Sequence, residues 1–412
     1  MITNIHKHWK IKKLGEIANI SSGTTPFRKN PLFYDNADIP WVKTTDLNNS
    51  YITTTEEKVS MYALNNTSLR LYPTNTVLVA MYGGFNQIGR TGKLAMEATI
   101  NQALSALVLK NDDVNSDYLL FWLNANVEKW KRFAGSSRKD PNINGKDVAE
   151  FSILIPPLKE QEKIAEILLT CDKAIRLTTQ IITQLKQRNQ GLAQQLLTGE
   201  KRVKGFKNSI WKEVRLGEIG EISSAGVDKK VIEGEKPIRL LNYLDVYKRN
   251  FIHSDELTHW VTTTDEKIQK CNILQGDVFF TPSSEVRNDI AISAVAIEDI
   301  EEAVYSYHIV RLRFKKKIDL NFKAFMFKTD FFFKQAQFLS EGSGTRYVIS
   351  QSNFKNIKIF LPTYEEQKTI GNILLKAEKE LKLYEQKLQL LQAQKKTLMQ
   401  KLLTGEVLTI KK

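Results

Sequence analysis

Cysteine is nearly absent from this chain. The two present, Cys171 and Cys271, have no CxxC partner and no zinc-type spacing, which argues against a disulfide framework or a metal knuckle. Cys171 falls in a helical pattern and reads as a small core residue, in keeping with a reducing cytoplasm. No run of 18 apolar residues occurs, so no membrane span is expected. The opening MITNIHKHWKIKK lacks an apolar stretch, which predicts no secretory signal and a cytoplasmic protein. Histidine is sparse. His6, His8, His253, His259 and His308 form no HExxH or triad-like pattern. His308, within Tyr305–Val310, reads as part of a strand. Gly84–Thr91 imitates a phosphate-binding GxxxxGK[ST] loop but carries Arg90 where lysine is needed. There is no GxGxxG and no Asn-Pro-Pro-Tyr-type methylation motif. No catalytic residue, metal site or cofactor site is expected.

What the chain has is positive charge. It carries 60 Lys+Arg against 46 Asp+Glu, a net charge of +14. That excess favours an anionic partner, nucleic acid first. Hydrophobic content of 42% is ordinary for a folded protein, and 412 residues predict two or more domains.

The sequence is also written twice. Trp9-Lys10, Leu14-Gly15-Glu16-Ile17 and Ile20-Ser21-Ser22 recur at an offset of 202 residues as Trp211-Lys212, Leu216-Gly217-Glu218-Ile219 and Ile222-Ser223-Ser224. IPPLKEQEKIAEILL (155–169) recurs as LPTYEEQKTIGNILL (361–375), and Leu197-Thr198-Gly199-Glu200 as Leu403-Thr404-Gly405-Glu406, both offset by 206. Three matched landmarks in one order mean a tandem duplication. Each unit begins with short β-rich runs, such as Thr76–Tyr82 and Gly276–Thr281, between turn residues. Each ends in a long helix entered at Pro156-Pro157 or Pro362, because proline is tolerated at a helix start but not inside.

The helices carry heptads. Ile164, Leu168, Cys171, Ile175, Thr178, Ile182, Leu185, Asn189, Leu192 and Leu196 step by four and three. Ile370, Leu374, Ala377, Leu381, Tyr384, Leu388, Leu391, Lys395, Leu398 and Leu402 do the same. This predicts an antiparallel intramolecular coiled coil, with a polar layer at the equivalent rungs Asn189 and Lys395. Each heptad run covers about 33 residues, roughly 50 Å, or roughly 15 base pairs of B-DNA. Two pseudo-two-fold globules on such a bar suit a bipartite DNA target.

Base edges are read mainly by Arg, Lys, Asn and Gln, and phosphates by basic and hydroxyl groups. Suitable residues in the first unit are Lys43 and Thr45 at a strand end, Tyr82, Asn86, Gln87 and Arg90 in a glycine-rich loop, and Arg138 and Lys139 after Gly135-Ser136-Ser137. In the second they are Asn242, Tyr243, Lys248, Ser283, Ser284, Arg287, Arg346 and Tyr347.

The layout resembles the specificity (S) subunits of type I restriction–modification systems across nearly the whole chain. The resemblance rests on Trp9 with Leu14–Ile17, on Gly342–Tyr347, on the helix entries Pro157–Ile164 and Pro362–Ile370, and on the paired Leu-Thr-Gly-Glu ends. It implies an α+β protein with target-recognition domains at 1–155 and 201–361 and conserved spacer helices at 156–200 and 362–412. It implies a non-catalytic reader of double-stranded DNA that docks two methyltransferase subunits, joined by restriction/translocase subunits. S-adenosylmethionine, ATP and magnesium are then expected on those partners. The first unit departs from the pattern with Arg138-Lys139-Asp140-Pro141, where the second has Thr345-Arg346-Tyr347. A coiled-coil scaffold with protein-binding globules is the alternative.

Overall fold

The computed structural model of the chain describes residues 8–84, 86–133 and 142–410. His6, Phe85 and the Gly135–Pro141 segment with Arg138 and Lys139 lie outside the described residues. The chain forms two compact units, Met1–Thr179 with Lys387–Lys412, and Gln180–Gln386. Each unit therefore holds one globule together with half of each long helix, so the unit borders cut across the linear segments read from the sequence.

Both globules are built on one topology. In the first, the five-stranded sheet runs Ala18–Ser22, Leu104–Leu109, Val77–Ala80, Thr91–Leu94, Tyr51–Ile52. In the second it runs Gly220–Ser223, Val310–Phe314, Val278–Phe280, Ser293–Ala296, Phe251–Ile252. A smaller sheet is repeated as well. Ile39–Val42 lies between Glu57–Val59 and Thr99–Ile100, and Lys236–Leu241 lies between Trp260–Thr263 and Ile300–Tyr305. A final pair joins each globule's first and last strands, Lys10–Lys13 with Ser152–Ile155 and Lys212–Arg215 with Lys358–Leu361.

The central strands are apolar on both faces because both faces are covered. Val77 and Val79 enter a core with Leu14, Tyr118, Leu119 and the helix residues Ile164 and Leu168, while Leu78 and Ala80 face a second core with Val42, Ile52 and Ile100. Phe280 and Phe279 divide in the same way in the second unit. The observed strands Val77–Ala80 and Val278–Phe280 fall inside the two runs expected as strands. Gly342–Tyr347 forms the turn and flanks of a β-hairpin, Glu341–Ser343 with Arg346–Val348. His308 is not in a strand. It occupies a two-residue turn after Ile300–Tyr305, where the chain reverses into Val310–Phe314.

The long helices are Leu158–Leu197 and Tyr364–Leu403. Within each unit their halves pack antiparallel. In the first unit, Glu160 meets the backbone of Thr409 and Ile410, and Asp172 meets Lys395. In the second, Lys186 meets Glu385 at 3.0 Å and Arg188 meets Glu380 at 2.7 Å. Every heptad position named above is buried or half-buried. The two polar seam residues both bond to the facing helix: Lys395 donates to the Asp172 carboxylate, and Asn189 Nδ2 donates to the Ala377 carbonyl at 2.9 Å. A polar seam residue held this way fixes the register of the pair.

Candidate nucleic-acid interface

Strand direction decides which loops meet. In the second unit Lys236–Leu241 and Ile300–Tyr305 are parallel, with Leu241 opposite Tyr305. Both strands therefore end on one edge, and Asn242-Tyr243 emerges beside the turn holding His308. Phe280 pairs with Val310, so the loop after Val278–Phe280 leaves at the same edge. Within that loop Ser283–Ser284 pairs with the Arg346–Val348 strand of the hairpin. The segment around Val227 joins through Val227 N donating to Tyr305 O (2.8 Å) and Tyr307 N donating to Val227 O (3.0 Å). Five chain segments converge.

Their side chains knit together. Tyr243 Oη donates to the Ser283 carbonyl at 3.2 Å, and Arg346 Nη2 donates to Ser283 Oγ at 3.1 Å. Tyr243 stacks on Tyr247, whose hydroxyl donates to Asp289. Burial pushes the Tyr243 hydroxyl up, and the Asp289 bond does the same for Tyr247, so both stay neutral donors. Arg287 lies over the Tyr347 ring at 5.6 Å. It also donates to the carbonyls of Gln337 and Ser340 and to Ser340 Oγ. Both arginines are exposed, but Arg287 is committed to bracing a helix end against the hairpin, while Arg346 bonds to the Ser283 hydroxyl. Lys248 is exposed at the end of a short helix one turn from Tyr243.

The first unit builds the same edge. Ile39–Val42 and Thr99–Ile100 are parallel, and Asn101 N donates to Val42 O at 2.9 Å. Ala80 pairs with Leu104, and Met81 N donates to Ala103 O at 2.8 Å, which places Tyr82 there too. Thr45, Tyr82 and Asn86 are exposed. Lys43 is spoken for: its ammonium sits 2.8 Å from Glu56 and 2.6 Å from Glu57. The Glu57 carboxyl is held below its usual range, first by Arg28 and then by Lys43. Gln87 and Arg90 bond to one another, and Arg90 also donates to the Leu47 carbonyl. In the same turn Gln87 N and Ile88 N both donate to Gly84 O, and Gly89 N donates to Ala80 O.

Sequence reasoning missed Asn101, Gln102, Lys229 and His308. All four reach the edge only through pairing between strands distant in sequence. The available signal was the strand–turn–strand spacing between two β-branched runs in each unit. Among the described residues no group of His, Cys, Asp or Glu is placed to hold a metal, and no helix is long and apolar enough to cross a membrane.

Comparison with known proteins agrees with this architecture. The family model for the type I restriction modification DNA specificity domain matches residues 6–187 and again 208–393. The MjaIX specificity subunit of Methanocaldococcus jannaschii is 32% identical over 179 residues, covering 42% of this chain and 40% of that one. The EcoR124I/EcoR124II specificity subunit of Escherichia coli is 24% identical, covering 48% and 47%. The chain thus spans under half the length of these two curated relatives. The M. jannaschii MjaVIII specificity subunit is 25% identical over 76% of this chain and 75% of that protein. Among solved structures, the S subunit from M. genitalium superposes with a TM-score of 0.58 at 14% identity, over 97% of this chain and 96% of that one. A structure concerning type I assembly and conformational transition gives 0.61 at 14% identity, over 98% and 100%. With the duplicated fold and two matched copies of one domain model, the chain belongs to the type I restriction–modification DNA specificity family.

Proposed function

We propose that this chain reads a bipartite, asymmetric DNA site, one half with each globule, as the non-catalytic specificity subunit of a cytoplasmic type I complex. The observation that carries the reading is the edge built twice. One strand order brings together the loops after Ile39–Val42, Val77–Ala80 and Thr99–Ile100 in one unit and those after Lys236–Leu241, Val278–Phe280 and Ile300–Tyr305 in the other, and they present different side chains: Thr45, Tyr82, Asn101 and Gln102 in the first, Tyr243 and His308, beside Arg346 and Tyr347 of the hairpin, in the second. A shared scaffold with divergent loops is what two readers of different sequences require. Arg346 supplies base-edge or phosphate donors, while Tyr243 holds the Ser283 loop and Arg287 the hairpin between which Arg346 sits.

The long helices serve as spacer and as the dock for two methyltransferase subunits, with restriction/translocase subunits joining that assembly. S-adenosylmethionine, ATP and magnesium belong to those partners. A competing scaffold role predicts no footprint on DNA even with partners present. The reading is tested by titrating the chain, co-purified with its subunits, against a random-sequence duplex library from 50 to 200 mM salt. Binding is expected to weaken by about 10³-fold or more, as for a protein making several phosphate contacts. A flat salt response, or no duplex retained, rules the reading out.

A further inference from the structure

One titratable group stands in a turn at the second unit's edge where the equivalent turn of the first has none. His308 sits in the turn between Ile300–Tyr305 and Val310–Phe314, half-buried, with its ring 3.8 Å from that of the exposed Tyr307. Its backbone N donates to Ser306 Oγ at 3.4 Å. The topologically equivalent turn of the first unit holds Asn101 and Gln102.

We propose that His308, with Lys229 and Arg346, forms a proton-linked seat for a DNA backbone phosphate, so that the second unit grips its half-site more tightly as pH falls. The proposal rests on the DNA-reading function above. The placement comes from backbone pairing. Val227, two residues before Lys229, is hydrogen-bonded to Tyr305 and Tyr307 on either side of Ser306. Arg346 reaches the same edge through its bond to Ser283. The charged groups whose field reaches the imidazole are Lys229 and Asp228 on the segment after Val227 and Arg346 on the hairpin. Asp228 is itself paired with Lys230 at 3.1 Å, which leaves cations dominant around the ring.

Burial, then Lys229 and Arg346, hold the His308 pKa below its usual value, so the free protein keeps this ring neutral at pH 7. A phosphate seated among the three groups reverses that balance. Its charge offsets both cations and favours the protonated ring, so the bound pKa rises above the free one. Binding then takes up a proton. The gain in affinity is complete below the free pKa and lost as pH rises through the bound pKa. Protonated imidazole, ammonium and guanidinium offer donors only, which matches phosphate oxygens.

The test measures anisotropy of a fluorescein-labelled 40-base-pair duplex, carrying a site recovered from the random library, with the full chain and its co-purified subunits. Measurements run at pH 6, 7 and 8 at fixed ionic strength. Wild type is expected to tighten by about threefold or more from pH 8 to pH 6, toward the tenfold limit for one group shifted by about one unit. His308→Gln is expected to tighten less than about twofold. Lys229→Gln, which removes one of the cations holding the ring neutral, is expected to move the midpoint to higher pH and gives a second reading should the first variant fold poorly. An unchanged pH response in His308→Gln overturns the proposal. So does a change of base preference at one position in place of a change in pH response. Absence of duplex binding at every pH is a different result and defeats the DNA-reading assignment itself.

Discussion

At the scale of single residues, the repeated landmarks are fastenings. Gln161 accepts from Asn115 N at 2.9 Å and donates to the Pro156 and Asp113 carbonyls, and Gln367 accepts from Asp319 N and donates to Pro362 O. A buried amide with its groups paired ties each helix entry to its globule. Glu160 and Glu366, one residue earlier, clasp the segments that follow the helices. Glu366 has no exposed surface and receives Arg202, Ser209 Oγ and Trp211 Nε1. Glu366→Ala leaves Arg202 without its carboxylate in a buried site, and about 3–5 kcal/mol of stability is expected to be lost. A chemical denaturation curve checks this, and a change under about 1 kcal/mol contradicts it. Gly199 and Gly405 end their helices at φ +74 and +75, where other residues are strained, and rings of Trp211 and Trp9 lie 3.6 and 3.5 Å from where a side-chain carbon would stand. This explains why tryptophan and Leu-Thr-Gly-Glu recur together in the sequence. It also explains why they were legible there: each satisfies a local demand that few residue types meet.

At the scale of elements, the helices and the main strands were legible and the reading edge was not. Heptads declare themselves within one segment, and the seam positions expected are those observed, but the expected single polar layer is not: with the helices antiparallel, Asn189 faces Ala377 and Lys395 faces Asp172. The edge depends on parallel pairing of Ile39–Val42 with Thr99–Ile100 and of Lys236–Leu241 with Ile300–Tyr305, more than 55 residues apart in each case. No local pattern records it. Lys43, Arg90 and Arg287 looked available as bare letters, yet each is engaged by groups remote in sequence: Glu56 and Glu57, the Leu47 carbonyl, and the Ser340 carbonyl. The helices carry a prediction of their own. Each runs unbroken from one compact unit into the other. Deleting one heptad from both removes about 10 Å of helix, or about three base pairs. The gap in the target is expected to shorten by about that much, read by mapping modified adenines in cells carrying the variant. An unchanged gap contradicts the spacer role.

At the scale of the whole molecule, duplication explains why one chain suits an asymmetric target. The scaffold, the fastenings and the helix seam repeat, while the loops at the reading edge do not. On the proposed DNA-reading function, the units are separable in what they read. The most direct measurement is selection from a random duplex library by the wild-type complex and by a Tyr243→Ala/Arg346→Ala variant, followed by sequencing. The wild type is predicted to recover two informative blocks of bases flanking an uninformative gap, and the variant to lose information in one block while keeping the other. A single continuous block, or equal erosion of both blocks, would contradict the account.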